Sequence, residues 1–274
     1  MRSKFLFLSR IFAKIVCLWF TGYLSVAFFS GFGEESQNRY DNKDVPWKVG
    51  EKLIYEIRWG LVPAGTGSLE VKKQANFQED SSVYRIEVRA VSNAFLDVFY
   101  KVRDYSFSLY DSKAGISHRF EQQIREGKYH MDQVVEFDWK SKRFKNSENV
   151  RGRQLKLEEG ELNLPAVDIL SSLYLARSRS LQVGEEYTFN VHSGKYWPLI
   201  LKVLKREKVN VPAGSFECFM IEPFLRDRGL FVQKGKKLQV WMTADEKKVP
   251  VLIKAEIFIG QVTVELKEIV NSPE

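Results

Sequence analysis

Histidine and cysteine are scarce in this chain, three and two residues among 274. A zinc site takes three or four ligands at close spacing, and His118, His130 and His192 are too scattered to supply one, with or without a cysteine. A hydrolytic triad brings a nucleophile, a histidine and an acid together. No recognisable nucleophile elbow accompanies any of the three histidines. Cys17 lies in an apolar N-terminal run, which leaves Cys218 without an intramolecular disulfide partner. It alternates with Phe216 and Met220, the setting of a buried, unreactive thiol. No catalytic residue, cofactor or metal is expected.

Acidic residues are missing from the first 33 positions, where Arg2, Lys4, Arg10 and Lys14 precede an apolar run from Ile15 to Phe32. That is the layout of a secretory signal peptide. Gly31-Phe32-Gly33 supplies small residues for cleavage, and Ser25-Val26-Ala27 is a second possible cut. The run is also near the minimum for spanning a bilayer, so an uncleaved N-terminal anchor is the competing reading. Residues 1–33 are therefore read as leader, 34–46 as a flexible polar lead-in and 47–270 as one domain. The net charge of +7 is mostly a property of the leader. Without its four cations, 38 basic residues face 35 acidic ones, a net of +3. No concentrated basic face is visible, and nucleic acid is not an expected partner. The densest cluster, Lys234, Lys236 and Lys237 around Gly235, is read as a charged hairpin turn.

What the mature chain does contain is alternation. Leu53, Tyr55, Ile57 and Trp59 interleave with Ile54, Glu56 and Arg58, the period of a strand with one buried face. The pattern returns in Tyr84–Ala90, in Tyr105, Phe107 and Leu109, in Val135–Trp139, and repeatedly from Tyr187 to Leu266. About a dozen short strands at this spacing predict a mainly β fold, a large curved antiparallel sheet or half-barrel. Val49-Gly50-Glu51 followed by Pro63-Ala64-Gly65, then Val183-Gly184-Glu185 followed by Pro212-Ala213-Gly214, suggest two related halves. One segment, Pro165 to Ser180, reads as a single central helix. Val167, Leu170, Leu173, Tyr174 and Ala176 lie near helical spacing, with Pro165 in the first turn and Asp168 at the positive end. Lying between the halves, it is placed to plug or cover one face of the sheet.

The acidic runs Glu158-Glu159-Glu161 and Glu185-Glu186 sit beside glycine and read as exposed turns. They do not identify the two acids held across a cleft that a glycosidase requires. Asp168, Ser171, Ser172 and Arg177 make the most site-like polar group. It reads either as a binding site or as helix capping with a buried salt bridge from Arg177 to the sheet, the second being preferred. Aromatics make up 14% of the chain. They either line an apolar cavity or fill a thick β core. The candidate ligand-lining or structural cluster is Trp59, Asp168, Ser172, Tyr174, Arg177 and Trp241.

The ordered set Val49-Gly50-Glu51 through Tyr55, Pro63-Ala64-Gly65, Asp168-Ile169-Leu170-Ser171-Ser172-Leu173-Tyr174 with Arg177, Pro212-Ala213-Gly214, and Val240-Trp241-Met242-Thr243 with Asp245 and Pro250 resembles DUF3108. This is a bacterial family of unknown function, and the resemblance covers about Val49 to Leu266. It implies a predominantly β protein of the bacterial envelope and carries no catalytic residues to transfer. By analogy with half-barrel carriers, the expectation is a non-enzymatic domain that binds a lipid, acyl or other amphipathic component in the periplasm or at the outer membrane. The alternatives are a scaffold that docks to an envelope protein partner and, third, a polysaccharide-processing enzyme.

Overall fold

The computed structural model describes residues 45–74, 82–194, 196–225, 229–230, 237–257 and 260–271. The expected leader, nearly all of the expected lead-in, and Lys234 and Lys236 of the expected charged turn lie outside them. The elements follow in the order β1 (Glu51–Trp59), β2 (Val62–Lys73), β3 (Val83–Ser92), α1 (Ala94–Asp97), β4 (Arg103–Asp111) and β5 (Ile116–Glu126). Next come β6 (Tyr129–Asp138), β7 (Arg143–Val150), β8 (Lys156–Glu161), α2 (Ile169–Arg177), β9 (Glu186–His192) and β10 (Tyr196–Val211). The chain ends with β11 (Gly214–Leu225), β12 (Gly229–Leu230), β13 (Leu238–Thr243), β14 (Pro250–Glu256) and β15 (Gln261–Asn271).

All pairings between named strands are antiparallel, and the strands form one sheet in the order β8-β7-β6-β5-β4-β3-β2-β1-β15-β14-β13-β11-β10-β9, with β12 beside β11. Consecutive strands pair along most of this path, and β1 against β15 brings the two ends of the folded chain together. The two edges of the open sheet, β8 and β9, are therefore consecutive in sequence. The segment joining them contains α2, so the topology hangs the helix across the mouth of the curve. All nine residues of α2 are buried. They enter a core with Leu53, Val71, Phe120, Val135 and Leu201 from both arms of the sheet. Just before the helix, Val167 bridges Val191 of β9 in parallel. The backbone bonds are Val167 N to Asn190 O at 3.0 Å and His192 N to Val167 O at 2.8 Å.

Several expectations shift in detail. The helix starts at Ile169 with Asp168 as its N-cap, so Pro165 lies in the extended lead and not in a first helical turn. The Asp168 carboxylate takes the first free N–H groups, which ends the need for helix upstream. Glu158, Glu159 and Glu161 belong to edge strand β8, not to a turn. A charged edge strand blocks sheet-to-sheet pairing, which is why it lacks an apolar alternation. The equally polar β7 is paired on both sides, and its inward positions include Asn146, a polar residue that breaks the apolar alternation.

In β4 the alternation is inverted. Tyr105, Phe107 and Leu109 pack on the outer face with Val83, under the Arg85 and Arg89 guanidiniums at 3.6 and 4.4 Å from the Phe107 and Tyr105 rings. Ser108 instead faces α2, and buried Asp104, Ser106 and Tyr110 share its side of the strand.

The two Val-Gly-Glu segments adopt the same local structure. Gly50 and Gly184 have φ of 89° and 90°, a left-handed backbone that glycine enters without a Cβ clash. Each donates its N–H across the hairpin at 2.8 Å, to Val71 O and Val203 O respectively. The two Pro-Ala-Gly segments differ. Pro63-Ala64-Gly65 runs inside β2, whereas Pro212-Ala213 forms the turn between β10 and β11, one strand later relative to its Val-Gly-Glu.

Candidate functional site

The named cluster separates into three places. At the C-terminal end of α2, Arg177 is fully buried and grips Glu51 of β1 through two bonds of 2.6 and 3.0 Å. Its Nε reaches Lys247 O at 3.2 Å, and its guanidinium lies 5.0 and 5.6 Å from the Tyr174 and Trp47 rings. Burial is the largest single influence and works against the guanidinium charge, but the Glu51 bonds together with the charge interactions of Tyr174, Glu51 and Tyr55 more than offset it, holding the Arg177 pKa above the ordinary arginine value. Beside it, burial pushes the Tyr174 and Tyr55 hydroxyls well above the usual tyrosine range. Tyr55 donates to Pro250 O at 2.8 Å.

At the N-terminal end, Asp168 Oδ1 accepts from Leu170 N and Ser171 N at 2.8 and 2.9 Å. Its Oδ2 accepts from the hydroxyls of Ser171 and Ser108. Ser117 Oγ accepts from Asp168 N at 2.7 Å. Burial raises the Asp168 pKa, opposed by this ring of donors. Ser172 turns away and donates to Ile169 O within its own helix at 2.7 Å. The acid thus sits at the positive end of the helix and the arginine at the negative end, each complementing the helix dipole. Trp59 and Trp241 are elsewhere. Trp59 stands at the end of β1, against the small core of Ala64, Leu96, Tyr100 and Val102. Trp241 alternates with Val240 in β13, donates to Glu207 at 2.8 Å and lies under the Lys254 ammonium at 5.4 Å.

The polar groups that sequence reading missed lie on the concave side of β4–β8. Gln122 donates to Gln133 at 2.6 Å, Gln133 to Asn146 at 2.9 Å and Asn146 to Glu158 at 3.0 Å, a ladder across four strands. Asp104 and Glu126 form a second group. Arg125 N donates to Asp104 Oδ1 at 2.8 Å and Tyr100 to Glu126 Oε2 at 3.3 Å. The remaining oxygens, Asp104 Oδ2 and Glu126 Oε1, are buried without any other donor. They satisfy one another only by sharing a proton. Burial is the main cause that raises Asp104 to about 6 and Glu126 well above the carboxylate range. Alternation did place Asp104, Ser106 and Ser108 on one face, but a period of two does not say which face is inside.

The carboxyl pair sets a pH dependence. Both groups hold protons more tightly in the folded protein, so their contribution to stability is complete below the unfolded carboxylate pKa of about 4. It is lost as pH rises through about 6 and further as Glu126 ionises. Denaturant unfolding of the wild type should therefore lose stability from about pH 4 upward, about 3 kcal/mol from Asp104 alone by the time pH has passed about 6, and Glu126→Gln should flatten that slope. Equal slopes for the two proteins would rule out the shared proton.

His192 ends β9 with its ring among Phe144, Tyr196 and Phe137, at centroid distances of 4.2, 4.9 and 5.5 Å. Burial depresses its pKa to about 4, so it is neutral near pH 7. It is a packing residue that joins the end of β9 to β6 and β7. Burial likewise pushes the Cys218 thiol up to about 11. Among the described residues, no group of three His, Cys, Asp or Glu side chains is placed to hold a metal ion.

One stretch of the concave side is less filled. Ile57 and Trp59 of β1, Val88 of β3 and Val264 of β15 are only half-buried, whereas Leu53, Tyr55, Ile86 and Leu266 on the same strands are buried. Ile57 and Val264 are register partners. Gly67 lies beneath, with a Cβ position 3.5 Å from Ile57 Cδ1. Ile57 and Trp59 touch both the α2 core and the Leu96–Tyr100 core, so this apolar strip runs between the two.

These features define an open, barrel-like antiparallel sheet wrapped around one buried helix, with a polar inner wall. The chain belongs to the DUF3108 family, a family of unknown function whose model matches residues 54–267. No curated protein matches it. Among solved structures it is similar to a β-barrel-like protein of the DUF1849 family from Brucella abortus, with a TM-score of 0.52 at 9% identity, over 82% of this chain and 98% of that one. A candidate exported protein with a YmcC-like fold from Bacteroides fragilis aligns at 12% identity and a TM-score of 0.30, over 81% of this chain and 96% of that one. A candidate lipoprotein from Parabacteroides distasonis aligns at 9% and 0.29, with the same coverages. The first likeness bears on fold alone.

Proposed function

We propose that this chain is an exported cell-envelope protein whose domain binds a lipid-like or amphipathic component without catalysing a reaction. Export rests on the acid-free, basic-then-apolar N-terminus. Binding rests on one observation, the half-buried strip of Ile57, Trp59, Val88 and Val264, apolar in a sheet that, beyond β4, carries the buried amides of Gln122 in β5 and Gln133 in β6. An acyl chain would lie along the strip and a polar group would turn toward the amides, the usual division between apolar lining and a few polar anchors in a ligand site.

Native mass spectrometry of the protein purified gently from an envelope fraction, followed by organic extraction, tests this. A stoichiometric lipid or acyl compound is expected. Its amount should fall in Gly67→Leu, which fills the floor of the strip. A ligand-free mass for the wild type would sink the binding reading in favour of a scaffold.

A further inference from the structure

Alternate turns of an antiparallel meander share an end, so the β1–β2, β3–β4, β5–β6 and β7–β8 connections lie along one rim of the sheet. Three of them carry large apolar side chains in the open, with Leu155 of the β7–β8 connection 51% exposed. Leu61 is 88% exposed, Val98 78%, Phe95 62% and Phe99 56%. They are neighbours by construction, because Asn93 donates through its side chain to Pro63 O at 2.7 Å and through its N–H to Ala64 O at 2.9 Å, clamping the start of α1 to the start of β2. Arg103 binds Asp97 at 2.5 Å and closes the base of the loop. Leu96 and Tyr100 point down into the buried cluster with Ala64 and Val102, which leaves Phe95, Val98 and Phe99 facing outward. The protrusion is therefore built and held. Apolar patches exposed in this way mark interaction sites.

The surrounding charge selects the partner. Lys101, Lys128 and Arg151 are exposed on the same rim, in the β3–β4, β5–β6 and β7–β8 connections. The carboxylates nearby are occupied, Asp97 by Arg103 and Glu126 within the buried pair. Apolar tips flanked by cations match a bilayer, in which acyl chains lie beneath anionic headgroups. We infer that this rim docks onto an anionic lipid surface. Leu61, Phe95, Val98 and Phe99 enter the acyl boundary while Lys101, Lys128 and Arg151 meet headgroup phosphates. Such docking would face Trp59 and the strip toward the membrane, but it stands whether or not the strip carries a ligand.

Flotation of the purified protein with vesicles of phosphatidylcholine, with and without phosphatidylglycerol, tests the docking directly. The wild type should float with the anionic vesicles and much less with the neutral ones. Lys101→Glu with Lys128→Glu and Arg151→Glu should weaken binding about 100-fold. Leu61→Ser with Phe95→Ser, Val98→Ser and Phe99→Ser should weaken it at least about tenfold. The charge-reversal variant removes no packed side chain, so its result decides the matter even if the serine variant unfolds. A wild type that stays in the aqueous fraction overturns the proposal. So does a charge-reversal variant that floats as well as the wild type, the outcome expected if the apolar N-terminus carried the binding. Lipid found by extraction without flotation would leave the strip as a ligand site and remove the rim as a docking surface.

Discussion

Replacing Glu51 with alanine is expected to cost about 3–5 kcal/mol of folding stability, measured by denaturant unfolding. The cost arises because Arg177 has no exposure and would keep its charge after losing both bonds to Glu51. Arg177→Ala should be similarly damaging, since it strands the carboxylate and opens a cavity between Trp47 and Tyr174. The pair can nevertheless be worth little relative to apolar side chains, because desolvating two charges offsets much of their attraction. Glu51→Leu combined with Arg177→Met should therefore recover much of the stability lost in either single variant. The interaction energy from such a cycle isolates the pair. A loss below about 1 kcal/mol in Glu51→Ala would mean that water reaches the guanidinium and that the helix is not anchored there.

The second large effect lies at the other end of the helix. Asp168→Ala should cost about 2–4 kcal/mol, because it removes the cap and leaves four buried donors without their acceptor. These are Leu170 N, Ser171 N and the hydroxyls of Ser171 and Ser108. Ser172→Ala is the control. Its hydroxyl serves only its own helix, and alanine is a better helix former, so stability should change by less than about 1 kcal/mol. If Asp168→Ala folds as stably as the wild type but no longer retains an extracted ligand, the acid is a binding group and not a cap. The two ends together explain why a helix of nine residues, too short to persist alone, is held across the open side of the sheet.

Much of the architecture is legible in the amino-acid order. Leu53, Tyr55 and Ile57 declare β1 by alternation, and the Asp168–Arg177 segment departs from period two where α2 forms. The chemistry at its ends, an acid at the start and a cation at the finish, is also readable, since both follow from the helix dipole. Strands β7 and β8 are not legible: the edge strand β8 carries no buried face to produce an alternation, and in β7, one strand in, a buried position is filled by the polar Asn146. The concave polar wall escaped for a different reason. Gln122, Gln133 and Asn146 are individually ordinary surface residue types, and only the pairing of β5, β6 and β7 stacks them into one buried ladder.

The chain by itself determined the family and an antiparallel β fold with one central helix, and its acid-free, basic-then-apolar N-terminus carries the expectation of export. Tertiary structure alone decided which side of each strand is inside and which distant groups meet. A period of two is symmetric between faces, so Tyr105, Phe107 and Leu109 could be turned outward and Ser108 inward only by contact with α2. Glu51 and Arg177 lie 126 positions apart, and Asp104 meets Glu126 across the β4–β5 hairpin. Such pairs are fixed by strand register and by where the helix docks, which local propensity does not encode.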